Sequence, residues 1–597
     1  MRIKHFFGLA VLAAMTASCS SNNDLVNGGN GSGENESGAS YASITIDLPT
    51  TSGTRAANDD FNEGTASEYA VNDATLLIFK KAGKTENDYT FVETAKLGNL
   101  EPWKKDNTTG ITTEATITAE LKQATVGENG DYYALVILNN EAGTGDKVTL
   151  PSGSTTTPTT YGAWNAATNA TNLSATDATN LLLDNTKGFY MANAPEFKAA
   201  DQEPTTLVPI KGIYRTKEEA HSKPGATVHV ERGLAKVTVG KGTGKDYFTG
   251  AKASGSKYSN DDVTITNWAL DVTNKSSFPV HVTSGLKSGV KSAGIPAYAD
   301  IWKNEAATTS TAPATSRFVS QLSATGAFKR VYWGIDPNYS KSLTDKDACG
   351  QEFTLVKADG SDADWKTSTK PLYCLENTFD ITHMLQGQTT RVLLKATYTP
   401  NALATAADKT FFMIGNSSDI WTTKTLKDQI ASKAKDALGM TTDPTVELKG
   451  DLLKGGTHFL TTENVSIKDG ETEKVNTTDL VDKLNNKLGL DKTNGVGIKT
   501  YEKGESYYIA RIKHFGDDLT PWKEGNDTYE ENNLNWLGRY GVLRNNWYDL
   551  TIEKISGPGY PDVPEVKPDT PDDEDTKYIN VSVKILDWAK RSQSVDL

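Results

Sequence analysis

Three cysteines in 597 residues are too few for the disulfide framework that staples small secreted domains. One of them, Cys19, stands in the first twenty residues. Cys349 and Cys374 then allow one bond at most, and two thiols do not by themselves establish it. Histidine is also scarce. The seven present are dispersed, and none shows the i, i+4 spacing of a zinc-binding helix. His514, in the strand-like "ARIKHF", reads as a core or edge histidine satisfied by its neighbours. A basic surplus is missing as well: the formal net charge is −14, and no aromatic-plus-arginine stretch offers a base-stacking platform. Both absences argue against nucleic acid as a partner. Past the amino terminus no stretch approaches the ~20 apolar residues of a membrane helix.

Catalytic and cofactor motifs are missing too. "GKGTGKDY" has glycines like a phosphate loop, but Val239 occupies the first glycine position of that motif. Asp246 replaces the Ser or Thr that would hold magnesium. "DGSDADW" gathers Asp359, Asp362 and Asp364 without the loop spacing of a calcium hand, and reads as a solvated turn. There is no nucleophile elbow and no Cys–His signature. No spacing marks out a carboxylate pair for glycoside hydrolysis. The chain is read as non-enzymatic, with no catalytic residue, no metal site and no cofactor.

What is present is an export signal followed by β patterning. Arg2, Lys4 and His5 precede the short apolar run "FFGLAVLAAM" and then "TASCSSNND", a secretory signal. Cys19 after Ala17 and Ser18 resembles a bacterial lipobox, in which the cysteine becomes the acylated amino terminus. The Gly/Ser/Asn-rich stretch from 20 to 40 reads as a flexible spacer. "YASITIDLPT" follows, with Ile44, Ile46 and Leu48 on one face of a strand that Pro49 closes. Arg55 sits alone in the small polar stretch "TSGTRAANDDFNEGTASEY", the kind of loop that proteases cut.

Strand signals then come densely: "ATLLIFKK", "TFVETAKL", "EATITAEL", "DYYALVILNN", "GFYMANAP" and "ATVHVERGLAKVTV". With turn residues between them they predict a β-sandwich. The Gly/Lys/Ser-rich "GKGTGKDYFTGAKASGSKYSNDD" interrupts the pattern and is taken as a domain boundary. "VTITNWALDVTN", "RVYWGI", "RVLLKATYTP", "KTFFMIGN", "ESYYIARIKHF" and "NWYDLTIEKI" predict a second β domain. "YYALVI" and "YYIARI" form a faint internal echo. Two helices are expected as insertions. Leu426, Ile430, Ala434 and Leu438 line one, and Leu480, Leu484 and Leu488 the other.

The last residues alternate again. Ile579, Val581, Val583 and Ile585 are separated by Asn580, Ser582 and Lys584, the period-2 pattern of a half-buried strand. A leash carrying Pro558, Pro561, Pro564, Pro568, Pro571 and the acidic run 572–575 precedes them. Prolines and like charges favour an extended tether. Such a tether would hold the strand away from its own body. The strand either folds back on its own sheet or serves another molecule.

Together these stretches resemble a known family. The lipobox, Arg55 after "TSGT", "YYALVILNN", "VERGLAKVTV", "PLYCLENTFD", "TRVLLKATYTP", "YYIARIKHFGDDLTPW", "LGRYGVLRNNWYDLTI" and "KILDWAKRSQSVDL" are similar to stalk subunits of Bacteroidia type V pili, specifically those of the minor (short) fimbrium. The resemblance implies an all-β chain of two tandem transthyretin-like β-sandwich domains with short helical insertions and a C-terminal donor strand. It implies a signal peptide over 1–19 and a propeptide over 20–55. The domains would span 56–240 and 241–560, with the tether over 561–577 and the donor strand over 578–597.

The lipid would sit on Cys19 of an outer-membrane precursor, and the mature protein would be an extracellular fimbrium. An arginine-specific, trypsin-like protease would cut between Arg55 and Ala56 and remove the strand bearing Ile44, Ile46 and Leu48. A neighbour's Ile579, Val581, Val583 and Ile585, with Trp588 as a further anchor, would fill the groove. The implied partners are identical subunits, anchor and tip subunits, the protease, and a host or bacterial surface ligand in adhesion. Two alternatives accompany this reading. One is an outer-membrane glycan-binding lipoprotein, using some of the eleven tryptophans to stack on sugars. The other is a tip or anchor subunit of the same pilus.

Overall fold

A computed structural model describes residues 39–48, 65–98, 100, 114–127, 130–142, 145–153, 159–172, 183–184, 188–198, 203–284, 286, 318, 328, 330–361, 365–367, 370–475, 477–516, 520, 536–572, 579–586 and 591–593. The alternation in "YASITID" produces the first strand, Ser40–Asp47. Ala42, Ile44 and Ile46 point into the core at zero exposure, and Leu48 follows them at 2%. On the opposite face Ser43 and Thr118 share a hydroxyl hydrogen bond of 2.6 Å, and Thr45 and Thr116 one of 2.9 Å. Such cross-strand rungs add to the backbone ladder.

This strand is an interior member of the amino-terminal sheet. The path runs Thr90–Lys96, Ala74–Lys80, Tyr132–Leu138, Met191–Asn193, Ala226–Arg232, Ser40–Asp47, Glu114–Leu121. The apolar run of "DYYALVILNN" forms a central strand with Ala134 to Leu138 fully buried. Glu93, on the strand at one end of the path, accepts backbone N–H bonds from Lys122, Gln123 and Ala124 at 2.7–2.9 Å. These residues follow the strand at the other end, so one carboxylate ties the two outer strands together.

At Gly233 the chain passes from one sheet to the next. Ala226–Arg232 belongs to the first. Leu234–Lys241 pairs antiparallel with Leu372–Leu375 and parallel with Trp547–Ile555. Its partners thus lie far beyond the boundary expected near 241. A four-stranded sheet of Ala251–Lys252, Asp262–Asp271, Arg391–Thr399 and Glu505–Arg511 contributes to the same core. Val237, Val239, Trp268, Leu394, Tyr508, Leu550 and Ile552 are buried in it.

The glycine-rich stretch taken as the boundary is folded, and Tyr247, Ala253 and Tyr258 within it belong to this core. Tyr247 is fully buried. A Cβ on Gly255 would stand 2.1 Å from the Ser556 carbonyl oxygen, so only glycine permits that approach.

Between Arg391–Thr399 and Glu505–Arg511 lies an inserted lobe of two small sheets and two helices, Thr423–Ala437 and Thr478–Lys487. The first helix buries Leu426, Ile430 and Ala434, as its spacing predicts. Thr422 caps it by accepting from the Thr425 amide. The second buries Val481 and Leu484, while Leu480 is only half-buried. Leu488 is buried as well, so the predicted leucine stripe holds at two of its three positions and Val481 takes the place of Leu480.

Charged groups are buried around the Gly233 crossing. Arg544 Nε donates to Glu376 at 2.9 Å, and its Nη2 donates to Ser277 Oγ at 2.9 Å and the Phe278 carbonyl at 2.7 Å. Burial would raise the Glu376 carboxyl, but Arg544 outweighs it and holds it below the usual range. Nearby, Lys236 pairs with Glu68 at 2.8 Å. Arg232 donates to the Glu68 carbonyl at 2.9 Å and to Asn545 Oδ1 at 3.2 Å. Arg232 belongs to the first sheet and Asn545 precedes a strand of the second, so this network joins them.

Candidate functional site

The first strand is hydrogen-bonded along both edges. It runs parallel to Ala226–Arg232, with Ile44 opposite Ala226 and Ile46 opposite Val228. It runs antiparallel to Glu114–Leu121, with Ile44 opposite Ile117 and Ile46 opposite Ala115. Removing it would leave a slot lined by apolar side chains, with unpaired N–H and C=O groups on two sides. Such edges recruit another strand. Cys19, Arg55, Ala56 and Trp588 lie outside the described residues.

The terminal strand, Ile579–Leu586, pairs antiparallel with Trp547–Ile555 of its own chain. The register places Ile579 opposite Ile555, Val581 opposite Ile552, Val583 opposite Leu550 and Ile585 opposite Tyr548. Arg591–Gln593 pairs along its other edge. The two strands singled out by the sequence therefore belong to different sheets: one between two neighbours, the other on a sheet of the carboxy-terminal region.

The leash does not hold the last strand away from the body, because it is docked as far as Asp572. Tyr560 exchanges backbone hydrogen bonds with Tyr507 at 2.7 and 2.9 Å. Val563 and Val566 are buried at 5% and 6%. The Pro564 carbonyl accepts from Arg391, which also pairs with Asp271 at 2.7 Å. The Gln386 amide donates to the Thr570 carbonyl at 2.9 Å. A Cβ on Gly387 would stand 2.7 Å from Pro568 Cα, so glycine lets the strap lie close.

Asp572 has no exposure. It pairs with Arg511 at 3.0 Å and accepts from the Thr389 hydroxyl. It is thus an anchor, and not part of a self-repelling acidic run. The sequence held a signal for this docking: two valines three residues apart in an otherwise polar, proline-spaced stretch.

Cys349 and Cys374 form no bond, and both thiols are free and buried. Cys349 packs with Val272, Leu343, Phe353 and Val566, whereas Cys374 belongs to a different core and pairs across the strands with Ala235. Burial, with a smaller contribution from Asp345, pushes the Cys349 thiol up to about 11. Burial alone pushes Cys374 to about 12. The disulfide left open by the sequence is therefore not formed.

Residues 499–594 match the profile of major fimbrial subunit protein type IV, fimbrillin, C-terminal. This region holds Glu505–Arg511, Trp547–Ile555, the strap and the terminal strand. Among curated proteins none matches. Solved structures align loosely over most of the chain. A fimbrilin from Porphyromonas gingivalis aligns at 13% identity and a TM-score of 0.33, covering 92% of this chain and 99% of that one. A protein described as a cell-adhesion protein, from Parabacteroides distasonis, aligns at 12% and 0.32, covering 93% and 99%. The tip fimbrial protein of Porphyromonas gingivalis, truncated at its C-terminus, aligns at 11% and 0.26, covering 92% and 100%. Scores this low carry no argument. Through residues 499–594 the chain is similar to the C-terminal region of major fimbrial subunits of type IV.

Proposed function

We propose that this subunit is a repeating stalk unit that polymerises by strand exchange. A protease cuts after Arg55, the first strand leaves, and the terminal strand of a neighbouring copy enters the vacated slot. The interior position of Ser40–Asp47 carries this reading. A strand bonded on both edges, with Ile44 and Ile46 fully buried, leaves a templated groove when it goes.

The donor's composition supports the exchange. Each buried Ile or Val contributes roughly 1.5–3 kcal/mol relative to exposure. Ile579, Val581, Val583 and Ile585 together contribute on the order of 6–12 kcal/mol before ordering costs. The strand they replace offers Ile44, Ile46 and Leu48. A head-to-tail contact of this kind does not close on itself, and so it builds a filament.

In this reading the subunit comprises two transthyretin-like domains, exported with a lipid on Cys19 to the outer membrane. There an arginine-specific protease releases it into a fimbrium that supports adhesion alongside anchor and tip subunits. The terminal strand's pairing with Trp547–Ile555 is then the resting position of an unassembled subunit. Deleting residues 578–597 tests this. The cut, truncated protein should stay monomeric and should bind a synthetic 578–597 peptide. Polymers formed without that strand would refute the reading.

A further inference from the structure

The first strand ends in a group of titratable side chains that the exchange reading does not use. Asp47 lies directly opposite Glu114 on the antiparallel neighbour and opposite His229 on the parallel one. His229 Nε2 is 3.3 Å from Asp47 Oδ2, and the two side chains are 33% and 23% exposed. The His229 ring stacks on Phe328, with centroids 4.2 Å apart. Among the described residues, Glu114 and His229 are the titratable groups facing Asp47 from the two packed strands. One position further in, Ile46 is fully buried. Of the strand's residues, Asp47 is nearest in sequence to Arg55, so unzipping after a cut would begin at this end.

We propose that Asp47, Glu114 and His229 form a pH-dependent clasp on the end of the first strand, closed in mild acid and loosened at neutral pH, which regulates how readily the strand is given up. The regulatory role rests on the exchange reading; the clasp itself does not. Two like charges directly opposite one another on neighbouring strands destabilise the pair. A protonated Asp47 instead hydrogen-bonds to Glu114.

The titration agrees in sign. Burial first, and then Glu114, push the Asp47 carboxyl up to about 6 from an ordinary value of 3.8. The folded strand therefore holds its proton more tightly than the released one. That contribution is present below about 4 and is lost as pH rises through about 6. Burial holds the His229 imidazole below its ordinary value. Charging that ring in the folded strand is therefore disfavoured, and its protonation opposes the clasp as pH falls.

Hydrogen exchange at the amides of residues 43–48 in the uncut chain, normalised for intrinsic rates, tests the clasp. Protection should be roughly three- to tenfold greater at pH 5.5 than at pH 8. Both Asp47→Asn and Glu114→Gln should flatten that dependence. Glu114 is exposed, so its variant carries the test even if Asp47→Asn fails to fold. Equal protection at the two pH values, or the same dependence in both variants, would overturn the proposal. The uncut chain reports on the clasp alone, so a failure of polymerisation would count against strand exchange and leave this result standing.

Discussion

Ile46 has no exposure and lies between Val228 and Ala115 on the flanking strands. Truncating a core isoleucine to alanine costs about 2–5 kcal/mol, the lost transfer free energy plus that of the cavity. Ile46→Ala should destabilise the uncut chain by that amount in chemical denaturation. In the proposed account the assembled polymer no longer holds this strand, so its resistance to heat should not change. An equal loss in both states would mean that the strand stays after cutting. At this scale the sequence was partly legible. The alternation of Ile44, Ile46 and Leu48 marks their buried face because strand period is two. In the leucine stripe of the second inserted helix Leu484 and Leu488 are buried as expected, but at its first turn Val481 and not Leu480 meets the core. A four-residue repeat drifts around a helix of 3.6 residues per turn. Cys349 and Cys374 were undecidable from sequence, because distance between thiols is a property of the fold.

Among the elements, the strap over 557–572 departs most from its sequence reading. Prolines and acidic residues describe a chain that resists collapse, yet such a chain can still lie extended along a body that supplies partners. Arg391, Arg511, Tyr507 and Gln386 supply them here. All four come from residues distant in sequence, which is why composition missed them. Breaking a buried ion pair by removing one partner costs on the order of 3–5 kcal/mol. Asp572→Ala would leave Arg511 buried without that carboxylate, and detachment of the strap is the cheaper response. Amides from Tyr560 to Thr570 should lose most of their exchange protection in this variant. Unchanged protection would show that the apolar contacts of Val563 and Val566 hold the strap without the ion pair.

Taken whole, the molecule is mostly β, as its turn-rich composition predicts, and its carboxy-terminal region carries the fimbrillin match. The sandwich-like runs and the two terminal strands were readable from periodicity. The sheet switch at Gly233 was not, because "VERGLAKVTV" reads as one unbroken strand signal. Only pairing with Leu372–Leu375 and Trp547–Ile555 reveals where its second half belongs. The buried network around Arg544 and Glu376 was equally hidden, since its members are scattered along the chain. In the proposed account, cleavage after Arg55 converts a closed subunit into a polymerising one. Residues 20–597 should be treated with an arginine-specific protease, the new amino terminus read, and the product run unboiled beside an Arg55→Ala control. An Ala56 terminus with a heat-sensitive ladder that is absent from the control is the predicted result. A clean monomer after cutting at Arg55 would contradict the account and leave the terminal strand with its own sheet.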